Sequence, residues 1–232
     1  MGVVALVPAA GRGERLGYGM PKALVPVDGV PLLVRAVRGL FDSGRVRHVV
    51  IAAPPSDVDV VSTVTAPLAP ADGAVHVVAG GAERSDSVRL ALTYALREIP
   101  DTSIVLVHDA ARAFTPPAVV SAVVDAVAAG HPAVIPVLPV VDTVKQVDAD
   151  GVVLATPDRA ALRVVQTPQG FDAAVLLRAH EAGSDATDDA GLVERLGVPV
   201  VTVPGHPDAM KITTKFDLAV AEALLVGTRG AP

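Results

Sequence analysis

The chain has 232 residues, of which 51% are hydrophobic and 19% charged, so its composition allows a sizeable core and excludes a disordered chain. The formal net charge of −6, without a long basic run, argues against a nucleic-acid-binding surface. The chain has no cysteine, which excludes disulfides, thiol nucleophiles and cysteine-ligated zinc and fits a cytoplasmic location. No apolar run approaches the roughly 18 residues of a membrane span, so we expect a soluble protein without membrane contact.

Short runs rich in valine and isoleucine alternate with helical patterns along the chain. The runs are almost continuously apolar, which is typical of strands buried on both faces. Strands are predicted at residues 3–7, 48–52, 74–78, 103–107, 133–136 and 199–203. Helices are predicted at residues 32–42, 57–64, 86–99, 117–129, 172–183, 187–196 and 216–225. This alternation predicts an α/β fold with a mostly parallel sheet and helices on both faces.

The segment VVDTVKQVDADGVVLAT, residues 140–156, departs from the alternation. Its pattern predicts two strands joined by a DADG turn. A hairpin inside an α/β chain is expected to project as an arm, here at about residues 139–158. Valines on both strands would stay exposed, so we expect a partner subunit to cover them. The predicted organisation is one domain over residues 1–232 with this arm used for dimerisation.

Ligands of open α/β sheets bind at the carboxyl ends of the strands. The segments that follow the first, third and fourth predicted strands are unusually polar or rich in glycine. They read PAAGRG, AGGAERSDS and HDAARA in the sequence. We therefore expect these three loops to lie together and to form the binding site.

The first of these loops belongs to the segment VPAAGRGERLGYGMPKALVPV, and two familiar phosphate motifs fail there. Gly11, Gly13 and Gly17 are spaced G-x-G-x-x-x-G, one residue longer than the dinucleotide-binding fingerprint. The P-loop pattern G-x-x-x-x-G-K-[ST] is also absent, because Lys22 follows a proline and precedes an alanine.

A phosphate-binding loop that follows neither of these two motifs fits this segment better. Glycines let backbone N–H groups converge on an anion, and Arg12, Arg15 and Lys22 add positive charge. This density of charge suits a triphosphate better than a single phosphate. Taken alone, the segment is also compatible with a surface loop whose arginines are solvated and partly neutralised by Glu14.

The loop AGGAERSDS suits the base of a nucleotide. Gly80 and Gly81 permit close backbone approach to a flat ligand. One of Ser85, Asp86 and Ser87 is expected to cap the helix that follows.

The loop HDAARA places His108 and Asp109 at the end of a buried strand. An acid facing a triphosphate could help to hold Mg²⁺, or it could simply cap the next turn. Arg112 could neutralise Asp109 or reach a phosphate. Further basic residues and threonines are individually weak candidates for contacts to phosphate or hydroxyl groups: Lys145, Arg159, Lys211, Thr143, Thr167 and Thr187.

An ordered set of segments is more specific than any single loop. It comprises PAAGRGERL, PK, GGAERSDS, HDAAR, DTVK, TPQGF, TDDA and KIT. From about residue 7 to residue 218 the chain resembles the 2-C-methyl-D-erythritol 4-phosphate cytidylyltransferases of the non-mevalonate isoprenoid pathway. The resemblance implies a Rossmann-like nucleotidyltransferase fold and a homodimer joined through the arms. It also implies that CTP and 2-C-methyl-D-erythritol 4-phosphate react with Mg²⁺ to give 4-diphosphocytidyl-2-C-methyl-D-erythritol and pyrophosphate.

The same resemblance implies roles for individual residues. The nucleotide-binding residues are Pro8, Ala9, Ala10, Gly11, Gly13, Gly81, Ser87, Asp109 and Ala110. The catalytic cations are Arg15, Lys22 and Lys211, and the metal contact is Asp109. The residues implied to bind the methylerythritol phosphate are Arg112, Thr143, Arg159, Thr167 and Thr187. Of these, Thr143 and Arg159 are expected to reach the site from the partner's arm.

The chain departs from the family pattern at three positions. Ala82 stands where an aspartate beside the base is common, Ala113 follows HDAAR in place of proline, and Ala23 follows PK in place of glutamine. These departures concern details such as base recognition and leave the charged residues of the motifs in place.

Three alternative functions remain: a ribitol 5-phosphate cytidylyltransferase, another sugar-phosphate nucleotidyltransferase, and a non-catalytic nucleotide sensor. The segments PAAG and HDAAR are closer to the methylerythritol enzymes than to the ribitol ones. The presence of Arg15, Lys22 and Asp109 argues against a sensor, which needs no charges that act on a transition state.

Overall fold

The computed structural model describes residues 2–11, 20–183 and 186–229, and these ranges contain twelve strands and seven α-helices. The strands are β1 (Gly2–Pro8), β2 (Pro26–Val27), β3 (Val30–Pro31), β4 (His48–Ala53), β5 (Ala74–Ala79), β6 (Thr102–Val107), β7 (Ala133–Pro139), β8 (Gln146–Val147), β9 (Val153–Ala155), β10 (Arg163–Val165), β11 (Gln169–Asp172) and β12 (Val201–Pro204). The helices are α1 (Leu32–Asp42), α2 (Val58–Thr65), α3 (Arg84–Glu98), α4 (Pro117–Ala128), α5 (Ala173–Ala182), α6 (Asp189–Arg195) and α7 (Lys215–Arg229).

The predicted α/β fold is confirmed, and each predicted strand and helix corresponds to an element with somewhat different ends. Strands β6, β1, β4 and β5 lie side by side in this order and pair in parallel. Strand β11 lies antiparallel between β6 and β7, and β10 is antiparallel to β7. Strand β12 pairs with β7 in parallel. The sheet is therefore mostly parallel, as the alternation of elements predicted.

Four strands were not predicted from the sequence. Strands β2 and β3 have two residues each and form a separate hairpin. Strand β10 has three residues, and β11 has the sequence QGFD, with only one large apolar residue. None of these segments carries the apolar run or the alternation that identifies a strand.

Successive residues of β1 face opposite sides of the sheet and belong to different cores. Val4 and Leu6 pack with side chains of α3, α5 and α6. Ala5 and Val7 pack with side chains of α1, α2 and α4. All four are fully buried. Burying a valine or leucine side chain contributes about 1.5–3 kcal/mol, so the sheet and both helical layers stabilise each other.

The three polar loops continue from β6, β1 and β5 at the carboxyl ends of the parallel strands, with β4 lying between β1 and β5. Ala9 N–H donates to Ala52 O at 2.8 Å, which extends the pairing of β1 beyond its end. Gly80 N–H donates to Ala53 O at 2.7 Å, and His108 N–H donates to Leu6 O at 2.9 Å. These bonds fix the start of each loop, so the sheet itself positions the residues that follow β1, β5 and β6.

The predicted hairpin is confirmed as β8 and β9, an antiparallel pair separate from the main sheet. Asp148 Oδ1 accepts the N–H groups of Asp150 and Val152 at 3.0 and 2.9 Å and so closes the turn. Val152 and Leu154 are each about 60% exposed. Within the described ranges, no helix combines the length and apolar character needed to cross a membrane.

Gly170 allows α4 to pack on β11. A Cβ at this position would stand 2.4 Å from Val123 Cγ1 and 3.1 Å from Val127 Cγ2. We expect Gly170→Ala to lower the free energy of unfolding by about 1–3 kcal/mol, because the buried helix must move away from the sheet. Urea unfolding followed by circular dichroism measures this change.

The matched control is Gly39→Ala in α1, where the nearest atom to an added Cβ is Thr115 O at 3.4 Å. This substitution is expected to leave stability unchanged or to raise it by up to about 1 kcal/mol, because alanine favours a helix over glycine. Equal stability of Gly170→Ala and wild type would show that the contact between α4 and β11 is not tight.

Candidate active site

The three polar loops meet in one cleft at the carboxyl ends of the parallel strands. They are joined there by Lys22, which follows the first loop, and by Lys211, which precedes α7. The predicted site residues that line the cleft are Pro8, Ala9, Ala10, Gly11, Lys22, Gly81, Ser87, Asp109, Ala110 and Lys211. The structure thus confirms the predicted convergence of these loops.

Other predicted residues lie outside the described part of the chain. Arg15 and Gly13 fall between residues 11 and 20, as do Arg12 and Gly17. Their assigned roles remain predictions.

Lys22 is positioned by a single 3-10 turn, Lys22–Leu24, which follows Pro21. Ala23, the next residue, is 5% exposed and packs in the core on the α1 and α4 side of the sheet. Val25 is fully buried on the other side of the turn. The buried neighbours fix the turn on the protein, and the lysine faces the cleft.

A small apolar cluster supports both cleft lysines. It consists of Val25, Val27, Leu32, Ala113, Ile212, Leu218 and Ala221, and we call it the α7 cluster. Val25 lies close to Lys22 in the chain, and Ile212 is the neighbour of Lys211. Ile212 N–H also donates to Ala111 O at 2.9 Å, which ties the segment before α7 to the loop after β6.

The two glycines after β5 are required by the protein's own packing. A Cβ on Gly80 would stand 2.8 Å from Ala10 Cβ, and one on Gly81 would stand 2.3 Å from Asp86 Cβ. Ser87 Oγ accepts the Gly81 N–H and donates to Glu83 O, both at 3.2 Å. The glycines therefore bring the loops after β1 and β5 and the start of α3 into close contact.

The residue that caps α3 is Glu83 and not one of the three expected residues, but Asp86 completes a capping box with it. Asp86 Oδ2 accepts the backbone N–H of Glu83, the residue before α3, at 3.4 Å. Ser87 is 1% exposed and its hydroxyl is engaged with the loop. Its predicted contact to cytidine remains a prediction.

Asp109 carries the negative charge at the centre of the cleft. Its Oδ2 lies 2.8 Å from Lys211 Nζ, and its Oδ1 lies 3.4 Å from both Nε and Nη2 of Arg84. Burial alone would raise the pKa of this carboxyl, but Arg84, Lys211 and Arg112 lower it to about 2. Asp109 is thus an anion at neutral pH and balances part of the positive charge around it.

Arg84 is a cleft residue that the sequence interpretation missed. Its Nη1 donates to Asp189 Oδ2 at 2.7 Å, in addition to the longer contacts with Asp109. Arg84 is the first residue of α3, where a cation is unfavourable because helix N-termini carry partial positive charge. The sequence did contain a signal for this role: Arg84 is a basic residue in the predicted ligand loop AGGAERSDS, two residues before the predicted helix.

His108 and Thr167 are buried behind Asp109. Thr167 Oγ1 accepts the Asp109 N–H at 3.0 Å and also lies 3.0 Å from His108 Nδ1. Burial, together with the nearby Arg112 charge, lowers the pKa of His108 to about 4, although Asp109 opposes this shift. Both contacts are satisfied when the Thr167 hydroxyl donates a hydrogen bond to Nδ1 of a neutral imidazole and accepts one from the Asp109 N–H. In this chain Thr167 therefore orients the backbone of Asp109, and its predicted substrate contact remains a prediction.

Arg112 connects the loop after β6 to two other segments. Its Nη1 donates to Ala209 O at 2.7 Å and its Nη2 donates to Val165 O at 3.1 Å. Burial lowers the pKa of Arg112, and the Asp109 charge partly opposes this effect. The guanidinium therefore holds β10 and the segment before Lys211 against the cleft, and its contact with the substrate remains a prediction.

The remaining predicted residues do not line the cleft of the same chain. Thr143 is exposed before β8, and Arg159 Nη1 donates to Val141 O at 2.6 Å. Thr187 lines a neighbouring cavity that also contacts Arg84 and Asp189.

His108 makes the stability of the protein depend on pH. Its pKa is about 4 in the folded state and near 6.5 when unfolded, so between these values the unfolded chain binds more protons. We expect the free energy of unfolding to fall as pH decreases from 6.5 to 4, with a contribution from His108 of up to about 3 kcal/mol. Urea unfolding at several pH values measures it.

In this experiment His108→Asn should weaken the pH dependence, because it removes the titrating group and keeps an acceptor for Thr167. His131 is exposed, and His131→Asn should retain the wild-type slope. An unchanged slope in His108→Asn would contradict the assignment.

Comparisons with known proteins agree with this architecture. A family model described as 2-C-methyl-D-erythritol 4-phosphate cytidylyltransferase matches residues 3–227. A protein of that name from Saccharopolyspora erythraea is 68% identical over 226 residues, covering 97% of this chain and 100% of the relative. One from Nocardia farcinica is 58% identical over 223 residues, covering 96% and 94% of the two chains.

Solved structures show the same similarity. A 2-C-methyl-D-erythritol 4-phosphate cytidylyltransferase from Thermus thermophilus is 37% identical with a TM-score of 0.77, covering 97% of this chain and 98% of the other. A 4-diphosphocytidyl-2C-methyl-D-erythritol synthase from Anaerococcus prevotii is 27% identical with a TM-score of 0.82, at the same coverage. With the loops, the charges of the cleft and the fold all in agreement, the chain belongs to the 2-C-methyl-D-erythritol 4-phosphate cytidylyltransferase family.

Proposed function

We propose that the cleft joins CTP to 2-C-methyl-D-erythritol 4-phosphate, giving 4-diphosphocytidyl-2-C-methyl-D-erythritol and pyrophosphate for isoprenoid precursor biosynthesis. The observation that carries this proposal is the meeting of three loops with Lys22, Lys211 and Asp109 in one cleft of a chain from this family. The two lysines offer donors that phosphate oxygens require, and we expect backbone N–H groups of the glycine-rich segment after β1 to add to them.

In the proposed reaction an oxygen of the methylerythritol phosphate attacks the α-phosphorus of CTP. A new P–O bond forms to this oxygen as the bond from the α-phosphorus to the bridging oxygen breaks, and pyrophosphate leaves with the electron pair. The attacking phosphate is already an anion, so no general base has to remove a proton. This agrees with a neutral, buried His108, which is bonded to Thr167.

The main obstacle is repulsion between two polyanions and the charge that develops on the transferred group. Lys22 and Lys211 line the cleft together with Arg84, and we expect Arg15 to add a further cation. Cations fixed in position before the reaction stabilise the transition state without further reorganisation. Their attachment to a packed turn and to the α7 cluster provides this fixed position.

Asp109 is the protein group that would hold Mg²⁺. The described residues contain no cluster of three or more acidic or histidine side chains that could bind a metal by themselves. Mg²⁺ commonly binds through one or two carboxylates, several waters and the phosphates of the substrate, so one ionised carboxylate in the cleft fits this ion. When bound, Mg²⁺ would supply positive charge that offsets the negative charge of the phosphates.

We further propose that the arm forms a homodimer and supplies residues to the partner's cleft. Val147, Val152, Val153 and Leu154 are each more than half exposed on the hairpin, an apolar surface that favours coverage by another subunit. Thr143 and Arg159 lie at the two ends of the arm and outside their own cleft. A partner's cleft would explain the substrate-binding roles that the family resemblance implies for them.

The activity is tested by pyrophosphate release from CTP with Mg²⁺ and either 2-C-methyl-D-erythritol 4-phosphate or ribitol 5-phosphate. We expect release with the first substrate, and Lys22→Ala should slow turnover roughly 100- to 1,000-fold with little change in fold. Lys215→Ala, an exposed lysine at the start of α7, should retain wild-type turnover. Preferential reaction with ribitol 5-phosphate, or no release with either substrate, would refute the proposal.

The dimer is tested by mixing two inactive variants, Lys22→Ala and Arg159→Ala. In a mixed dimer one cleft has its own Lys22 together with the wild-type arm of the partner, and the other cleft lacks both residues. Random reassembly should therefore restore about a quarter of wild-type activity. No recovery, despite mixed dimers detected by mass spectrometry, would place Arg159 in the cleft of its own chain.

A further inference from the structure

A chain of charged and polar side chains runs from the cleft into the interior behind α3. Lys211 and Arg84 contact different oxygens of Asp109. Arg84 then contacts Asp189 at 2.7 Å, and Asp189 Oδ1 lies 3.1 Å from His180 Nε2. The side chains of Asp189 and His180 are only 1% and 3% exposed. Through His180 of α5 and Asp189 of α6, this series of side chains connects both helices to the cleft.

The two carboxylates share the Arg84 guanidinium unequally. The contact to Asp189 is 2.7 Å, whereas both contacts to Asp109 are 3.4 Å and directed at a single oxygen. Short charge-assisted hydrogen bonds are the strong ones, so Asp189 is the main partner. Arg84 is consequently held away from a close ion pair with Asp109.

The first turn of α6, which contains Asp189, is held by several contacts of the residues next to it. Gln169 of β11 donates from Nε2 to Asp188 Oδ2 at 2.7 Å and accepts the Ala190 N–H at 3.0 Å. Asp188 also caps the helix by accepting the Gly191 N–H at 3.0 Å. The segments TPQGF and TDDA thus fix the position of Asp189, because they dock the first turn of α6 against β11.

Both oxygens of Asp189 are used, one by Arg84 and the other by His180. Burial alone would raise the pKa of Asp189, but His180 and Arg84 lower it, so the carboxyl is ionised. A buried anion with two fixed partners and little exposure is a rigid support for the arginine.

We propose that Arg84 is a further phosphate-binding cation of the cleft and that Asp189 is its positioning residue, itself oriented by His180. Arg84 lines the cleft with the two lysines, and its side chain is 34% exposed. When the triphosphate binds, the guanidinium exchanges its long contacts with Asp109 for a phosphate oxygen and keeps its bond to Asp189. This inference rests on the proposed function, because the phosphate is that of CTP.

By holding Arg84, Asp189 also leaves the carboxylate of Asp109 accessible to ligands. Without the Asp189 charge, the guanidinium would close on Asp109 Oδ1 and form a tight ion pair there. That oxygen would then be less available to ligands, and the cation would be less available to phosphate. A substitution at Asp189 is therefore expected to weaken nucleotide binding although it lies behind the cleft.

A double-mutant cycle tests the proposal. Asp189→Asn is introduced into the wild-type chain and into Arg84→Ala, and kcat and KM for CTP are measured with the affinity for a non-hydrolysable CTP analogue. Arg84→Ala should lower kcat/KM roughly 100-fold, and Asp189→Asn alone roughly tenfold. In the Arg84→Ala background, Asp189→Asn should cause no further loss, because its effect acts through the arginine.

The matched control is Asp72→Asn, which breaks the exposed bridge between Asp72 and Arg47 and should leave kcat/KM unchanged. A bridge that only stabilises the fold would give a different result. Asp189→Asn would lower the Tm of the wild-type chain, and would lower that of Arg84→Ala by less because the bridge is already absent there, while kcat/KM and analogue affinity stayed at wild-type values. That result would overturn the proposal.

Arg84→Lys provides a second test if Asp189→Asn does not fold. A lysine keeps the charge but lacks the fork that bonds Asp189 while facing phosphate, so analogue affinity should fall at least about tenfold. Wild-type affinity in this variant would contradict the proposal. Failure of wild-type protein to release pyrophosphate would refute the proposed function, whereas the analogue affinities of the variants test the roles of Arg84 and Asp189 separately.

Discussion

The charge balance around Asp109 is the constraint on which the cleft depends. Several cations would repel one another in a cleft without ligand, and a carboxylate buried alone would be costly. Asp109 lies between Lys211 and Arg84, and this contact lowers its pKa to about 2. The cations therefore stay in place before any phosphate arrives. The fold supports this arrangement because the carboxylate lies two residues after β6, a central strand with neighbours on both sides.

The arrangement suits a reaction in which charge, rather than proton transfer, is the difficulty. The histidine next to Asp109 is buried and neutral and serves to orient Thr167 and the backbone. Lys22 is carried by a short turn and Lys211 by the segment before α7, and both are next to residues of apolar clusters. Rigid presentation of positive charge is what the transfer of a nucleotidyl group to an anionic phosphate requires.

Much of this architecture could be predicted from the sequence, for definite physical reasons. Strands buried on both faces must be apolar along their length, so β1, β4 and β6 were recognisable. Their carboxyl ends lie together in a parallel sheet, which located the loops of the cleft. Strand β11 was missed because its residues QGFD carry no such pattern and its pairing depends on distant neighbours.

The side-chain network was beyond local sequence patterns. Arg84 and Asp189 are 105 residues apart, and Asp109 and Thr167 are 58 apart, so no spacing rule connects them. Arg112 appeared to be a candidate for phosphate contact, whereas the structure shows it bonded to two backbone carbonyl groups. Such roles depend on which segments the fold brings together, and a single sequence does not encode them in a local motif.

The α7 cluster has a consequence for how the protein loses activity. This small group of apolar side chains lies apart from the two large cores beside the main sheet and supports both Lys22 and Lys211. Small peripheral clusters open at lower free energy than central strands do. Partial detachment of α7 would loosen both lysines at once while the central sheet stayed folded. Inactivation by heat or denaturant would then precede the loss of secondary structure, and the protein would resist proteolysis in its core after it had ceased to function.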